Sequence, residues 1–256
     1  MPASDLDLLE EAAREAGEIA RRFWRGDQQV WDKGKEGPVG EADLAVDRHL
    51  KERLLNMRPD YGWVSEESED NPARLSARRV FIVDPIDGTR SFIAGERTWA
   101  HSLAVAEEGR VVAACVFLPV RDKIYLAATG VGATLNGAPI SALRRERLDG
   151  ASLLSTRAGL RPEYWSGGPP DVRRHFRSSF AYRLTLVAEG SFDAVLTFRP
   201  TWEWDIAAGA LIATESGARV SDRSGRSPQF NSGTRQVDGL IAGGQTVHGE
   251  LLKRLA

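Results

Sequence analysis

The feature that constrains this chain most is the run Asp84-Pro85-Ile86-Asp87-Gly88-Thr89, which directly follows the apolar stretch Val80-Phe81-Ile82-Val83. That stretch reads as a buried strand. Asp84 then falls where the strand emerges at the edge of its sheet, and Pro85 predicts an abrupt turn. Two carboxylates three residues apart across such a turn can converge on one point. They repel each other, and oxygen-only ligands of this kind suit a hard cation such as Mg2+. Gly88 and Thr89 can then offer backbone N–H groups and a hydroxyl to an anion. Read alone, the run is also an ordinary polar turn, because Asp, Gly and Pro are common turn residues.

Two further acidic motifs accompany it. Glu66 and Glu67 follow the short apolar run Trp63-Val64, and Asp205 sits in Glu203-Trp204-Asp205-Ile206-Ala207-Ala208-Gly209, at the predicted N-terminus of an Ala-rich helix whose dipole favours its charge. Three acidic motifs, each at the end of an apolar element, are what a multi-carboxylate metal site requires. The rest of the composition narrows the function. With 256 residues, 42% of them hydrophobic, the chain buries a real core. Thirty-four Lys and Arg against 36 Asp and Glu leave no electrostatic footprint for polymeric nucleic acid, whereas a small phosphorylated molecule stays possible because a metal concentrates charge locally. The single cysteine, Cys115, lies in an apolar run, which excludes disulfides and thiolate zinc sites. The histidines His49, His101, His175 and His248 are too scattered to form a ligand pair and receive no ligand role. No apolar stretch approaches the roughly 18 residues of a membrane span. The first residues carry Asp5, Asp7, Glu10 and Glu11 where a leader would be basic and apolar, so the expectation is a cytoplasmic protein with no membrane partner.

Along the chain, Ser4 with Asp7 predicts a helix start, followed by the stripe Leu9, Ala12, Ala13, Ala16, Ile19, Ala20 and Phe23. A second helix is predicted from Glu41 to Met57, stopping at Arg58-Pro59. Between them lies a basic loop, Lys33-Gly34-Lys35-Glu36-Gly37-Pro38, read as mobile, whose lysines either reach a phosphate or stay in water. Strands are predicted at Trp63-Val64, Val80 to Val83, His101 to Ala106, Val111 to Leu118 and Ile124 to Ala128, which together read as a mostly antiparallel sheet. Further strands are expected at Ser152 to Ser155, Ala194 to Phe198, Ala218 to Ser221 and Gly239 to Ala242, with helices at Asp205 to Ser216 and Thr246 to Leu255. Helices and strands come in blocks, which predicts a layered α+β sandwich. The chain reads as one unit, 1–256, divisible into an N-terminal α+β lobe, 1–150, and a C-terminal α/β lobe, 151–256, with Gly167-Gly168-Pro169-Pro170 as a possible boundary.

Glu66-Glu67, the run from Asp84 to Thr89 and the run from Trp204 to Gly209 resemble the signatures of the inositol monophosphatase superfamily of lithium-sensitive, magnesium-dependent phosphomonoesterases. The resemblance spans nearly the whole chain and includes Pro38-Val39-Gly40-Glu41-Ala42-Asp43 and the Asn136-Gly137 turn. It implies an αβαβα sandwich and two or three Mg2+ ions. Glu66, Asp84 and the Ile86 carbonyl would hold the first, and Asp84, Asp87 and Asp205 the second. It further implies a metal-activated water positioned by Glu66 and Thr89, with Thr89 oriented by Asp43, no covalent phosphoenzyme, and the phosphate resting on the N–H groups of Gly88 and Thr89. The partner implied is a small phosphorylated substrate, and the assembly a monomer or homodimer.

Some positions depart from the family pattern. Gly40 stands where the family usually has Thr, Arg90 follows Thr89 where a small hydroxyl residue is common, and Arg199 lies near where polyol-specific members place a carboxylate. Arg90 and Arg199, with Glu203, make the chain look more like the branch of 3′(2′),5′-bisphosphate nucleotidases, which convert adenosine 3′,5′-bisphosphate to AMP; inositol-1-phosphatase and histidinol-phosphatase are the alternatives. Trp31, Trp99, Trp165 and Trp202 either stack a nucleobase or serve as buried aromatic bodies. A haloacid-dehalogenase-type phosphatase is disfavoured, because its two aspartates lie two residues apart and the first is a covalent nucleophile. A non-catalytic sensor of phosphorylated ligands is the remote alternative.

Overall fold

The computed structural model of the protein describes residues 4–32, 34 and 37–256; Lys33, Lys35 and Glu36 of the basic loop lie outside them. The predicted capping box starts the first helix, α1 (Asp5–Phe23): Ser4 Oγ accepts the Asp7 N–H at 3.1 Å and the Asp7 carboxylate accepts the Ser4 N–H at 3.2 Å. A two-stranded ribbon, β1 (Val30–Asp32) with β2 (Pro38–Gly40), leads into α2 (Glu41–Met57), which ends before Pro59 as predicted. Gly40 has no side chain to cap α2, and Gln28 supplies the cap from outside, its Oε1 accepting the Ala42 N–H at 3.3 Å.

The first sheet has seven strands in chain order: β3 (Gly62–Ser65), β4 (Arg79–Asp87), β5 (Ala100–Glu107), β6 (Arg110–Leu118), β7 (Lys123–Ala128), β8 (Gly132–Leu135) and β9 (Ala138–Pro139). Every pairing is antiparallel except β3 with β4. Strand alternation gives the sheet two apolar faces. On β4, Phe81 and Val83 pack with Leu9, Ala16 and Leu50 of the two helices, whereas Val80 and Ile82 point the other way.

That opposite face meets α4 (Phe180–Ala188) and α5 (Glu203–Glu215), with the short α3 (Thr89–Ile93) placed earlier in the chain. Beyond α4 and α5 lies a five-stranded sheet of order β11-β10-β12-β14-β13, formed by β10 (Ala151–Leu154), β11 (Val172–His175), β12 (Ala194–Trp202), β13 (Arg219–Ser221) and β14 (Gln236–Gly243). Val195, Leu240 and Ala242 face α4 and α5, while Leu196, Phe198 and Ile241 face the last helix, α6 (Gln245–Lys253). The layers therefore run αβαβα, the expected α+β sandwich.

One local expectation needs correction, and one helix has no counterpart in the sequence reading. Pro85 does not end the strand. β4 continues to Asp87 through a register skip against β5 between Asp84 and Asp87, and the sharp turn falls at Gly88, with φ +98°. The ring nitrogen of Pro85 lies in the skip, where the ladder asks for no donor. Helix α4 escapes sequence reading because all nine of its residues are buried, so it shows no polar face and no 3.6-residue period.

The middle layer depends on Gly209. A Cβ there would stand 2.6 Å from the Leu184 Cβ, so α4 and α5 approach through a missing side chain. Gly209→Ala is expected to cost about 1–3 kcal/mol of overpacking strain, read as a lower urea midpoint; an unchanged midpoint would refute this account of the helix contact.

Candidate active site

The parallel pairing of β3 with β4 brings two strand ends to the same edge. Ser65 lies opposite Val83, and the Glu66 N–H bonds the Val83 carbonyl at 3.3 Å, so Glu66 adjoins Asp84 although 18 residues separate them. Helix α2 holds this edge in place. Asp47 accepts the hydroxyls of Ser65 at 2.5 Å and Ser68 at 2.6 Å, bracketing Glu66 and Glu67. One turn earlier on the same helix, Asp43 accepts the Gly40 N–H at 2.9 Å and the Thr89 hydroxyl at 3.1 Å.

The other two carboxylates are held from the far side of the sheet, by α4 and α5. Ser102, opposite Asp84 on β5, donates to the Trp204 carbonyl at 2.9 Å and so fixes the first turn of α5, which carries Asp205. Asp87 reaches the start of α4, where Oδ2 accepts the Ser179 hydroxyl and the Ala181 N–H, both at 2.6 Å. As a result Asp84, Asp87 and Asp205 each offer an oxygen within 4.8 Å of the others. Asp84 Oδ1 is buried with no hydrogen-bond partner among the described residues. A partnerless buried carboxylate oxygen amid carboxylates fits a divalent cation. Thr89 Oγ1 also lies 3.1 Å from the Ile86 carbonyl, at the same bend.

The predicted metal set of Asp84, Asp87 and Asp205 is thus assembled, with Glu66 at the adjoining strand end and Asp43 joined to Thr89. Sequence reading missed Asp47, Ser102 and Ser179, which tether these groups, and Arg183. The Arg183 side chain is buried on α4, held by the Ser179 and Ser178 carbonyls, both at 3.3 Å, and its charge is attracted by Asp87 and Asp205.

Beside the cluster opens a cleft of about 740 Å3, lined by Glu66, Glu67, Arg199, Trp202, Trp204 and Asp205. Trp202 and Trp204 stack with ring centroids 4.8 Å apart and planes within 8°. Arg235 also lines the cleft, 5.7 Å from one ring and 5.8 Å from the other. Two expected substrate contacts fall elsewhere. Arg90 is exposed beside Gly37, its Nη2 3.6 Å from where a Gly37 Cβ would stand, and does not line the cleft. Glu203 is fully buried, and its two oxygens accept the N–H groups of Asn231 at 2.6 Å and Ser232 at 2.8 Å. It ties a loop to α5, because a carboxylate in the first turn of a buried helix satisfies nearby backbone donors before any ligand. Of the tryptophans, Trp99 and Trp165 are core residues, Trp31 is exposed on β1, and Trp202 alone among those four lines this cleft.

The inositol monophosphatase family model matches residues 2–256 of the chain. The inositol-1-monophosphatase of Rhizobium meliloti is 32% identical over 241 residues, covering 90% of this chain and 89% of that protein. Among solved structures, the extragenic suppressor protein suhB of Bartonella henselae superposes with a TM-score of 0.83 at 25% identity, covering 98% of both chains. The Thermotoga maritima IMPase superposes with a TM-score of 0.81 at 28% identity, covering 97% of this chain and 95% of that one. Among the described residues no helix is long and apolar enough to cross a membrane.

Without a cation the cluster is under electrostatic stress. Burial, followed by repulsion from Glu66, Asp87, Asp205 and Asp43, holds the Asp84 carboxyl well above its usual range. Desolvation and then Asp87 push Asp205 up to about 8, and desolvation, with a smaller contribution from Glu67, pushes Asp43 up to about 7. An acid whose pKa is raised on folding binds more protons folded than unfolded, so stability falls as pH climbs between its two pKa values. Burial depresses His101 and His248 to about 4 from an ordinary 6.5, which acts in the opposite sense but only below pH 6.5. The metal-free protein should therefore lose thermal stability between about pH 6.5 and 8.5, and saturating Mg2+ should flatten that slope by favouring the ionised carboxylates. Melting temperatures in EDTA and in Mg2+ across this range check it; parallel profiles would contradict the assignment.

Proposed function

The chain belongs to the inositol monophosphatase family, and from that premise we propose that it is a Mg2+-dependent phosphomonoesterase for a small phosphorylated metabolite, inositol 1-phosphate first among them. One observation carries this reading: Asp84, Asp87 and Asp205 converge within 4.8 Å around the partnerless Asp84 Oδ1, beside the Thr89–Asp43 hydrogen bond. When bound, the cations supply charge neutralisation and acidify the attacking water. Glu66, Asp84 and the Ile86 carbonyl would hold one, and Asp84, Asp87 and Asp205 the other.

The chain's own groups do the rest. Thr89 has one hydroxyl proton, directed to Asp43 or the Ile86 carbonyl, so its lone pairs face outward as acceptors for a water proton. Asp43, with its pKa raised to about 7, can take up the Thr89 hydroxyl proton near neutral pH as Thr89 takes one from the water. Glu66 fixes the same water from the other side, and attack is direct, with no phosphoenzyme. The N–H groups of Gly88 and Thr89, at the left-handed start of α3, offer donors to the phosphate. Inhibition by Li+ belongs to the same reading.

A second reading is adenosine 3′,5′-bisphosphate. The arginines Arg199 and Arg235 and the flat Trp202–Trp204 stack favour a leaving group that is planar and anionic. A side-by-side kcat/KM comparison on inositol 1-phosphate, adenosine 3′,5′-bisphosphate and histidinol phosphate decides between them; a preference for the bisphosphate transfers the assignment to the second reading. On whichever substrate is best, Asp87→Asn should abolish Mg2+-dependent hydrolysis. Thr89→Val should lower kcat by about 100-fold or more. Wild-type-like turnover in either variant overturns the mechanism.

A further inference from the structure

His101 is used by nothing described so far. It is completely buried on β5, between Ala100 and Ser102, the residues that face Asp87 and Asp84 across the register skip. The skip sets two residues, Pro85 and Ile86, against this one, which is the arrangement of a β-bulge. A bulge removes ladder partners, and a buried carbonyl needs a replacement donor. The His101 imidazole supplies it, with Nδ1 against the Pro85 carbonyl oxygen. Because a carbonyl only accepts, Nδ1 carries the proton. Nε2 has no hydrogen-bond partner among the described residues, and burial keeps the ring neutral, so this tautomer is fixed by its surroundings. Trp99 meets the ring edge-on at 5.5 Å and Phe117 lies 6.3 Å away, which holds its plane.

We propose that His101 is a positioning residue for the cation site, its Nδ1–H bond to Pro85 setting the peptide planes that aim the Ile86 carbonyl and the flanking Asp84 and Asp87 carboxylates. The inference rests on the metal assignment of the preceding subsection. His101 touches neither substrate nor cation. It acts through the bulge, as the groups behind metal ligands commonly do, where their loss weakens binding about 10- to 100-fold.

The test is calorimetric titration of the full-length protein with Mg2+, alongside steady-state kinetics. His101→Leu removes the donor and should weaken Mg2+ binding about 10- to 100-fold, raising the Mg2+ needed for half-maximal rate while kcat at saturating Mg2+ recovers most of its value. His101→Asn places an amide N–H near the position of Nδ1 and should bind Mg2+ within a few-fold of wild type. His101→Gln places its amide farther out, near Nε2, and should resemble the leucine variant. Should the leucine variant fail to fold, the contrast between Asn and Gln decides. Equal Mg2+ binding by wild type and His101→Leu, or equal weakening by Asn and Gln, overturns the proposal. A wild-type protein that binds no Mg2+ at all overturns the metal assignment itself.

Discussion

Like charges gathered out of water are the constraint around which this molecule is arranged. At an effective dielectric constant near 20, two carboxylates 4 to 5 Å apart repel by about 3–4 kcal/mol. Three such pairs together rival the whole stability of a typical domain, about 5–15 kcal/mol. Asp84, Asp87 and Asp205 cannot all ionise at such separations unaided, so they either hold protons, as their raised pKa values indicate, or share cations. Arg183 offers a single positive charge against several negative ones, and its own burial lowers its pKa to about 10, so it offsets part of the repulsion without cancelling it.

Side chains that repel must be held by something other than each other, and the sandwich supplies the tethers. Parallel β3 and β4 end together and deliver Glu66 beside Asp84. The bulge in β4 turns Asp87 toward α4, where the Ser179 hydroxyl and the Ala181 N–H secure it. Ser102 ties the first turn of α5 to the sheet, and α2 reaches in with Asp43 and Asp47 from the opposite layer. Three of the five layers thus meet at one edge of the first sheet. The cleft beside them joins Glu66 and Glu67 of the first sheet's edge and Trp204 and Asp205 of α5 to Arg199, Trp202 and Arg235 of the second sheet and its loops.

What sequence could reveal follows from the same physics. An acidic residue at the end of an apolar element is conspicuous, because the element has a reason to be buried and the charge does not; Glu66, Asp84 and Asp205 were legible for that reason. Asp43 and Thr89 were legible through family resemblance, and the two are joined by a hydrogen bond of 3.1 Å. Ser102 was not, since a serine inside an apolar stretch has no spacing that distinguishes a tether from a filler, nor was Ser179, which caps the buried α4. Arg183 lies on a helix buried all round, where the periodic signal vanishes. Arg90 and Glu203 looked like substrate contacts because they stand next to site residues in the chain. A neighbour on a helix or at a turn points a different way, and these two turn toward Gly37 and toward the loop at Asn231. Likewise the gap left by Gly40 is filled by Gln28, which no local pattern announces.

Diffraction from a crystal soaked in Mn2+ and recorded at the manganese edge tests the central claim most directly. Strong anomalous peaks in contact with the carboxylates of Asp84, Asp87 and Asp205, one of them also reached by Glu66, are the predicted result. Peaks confined to surface carboxylates, with this cluster empty at saturating Mn2+, would contradict the account.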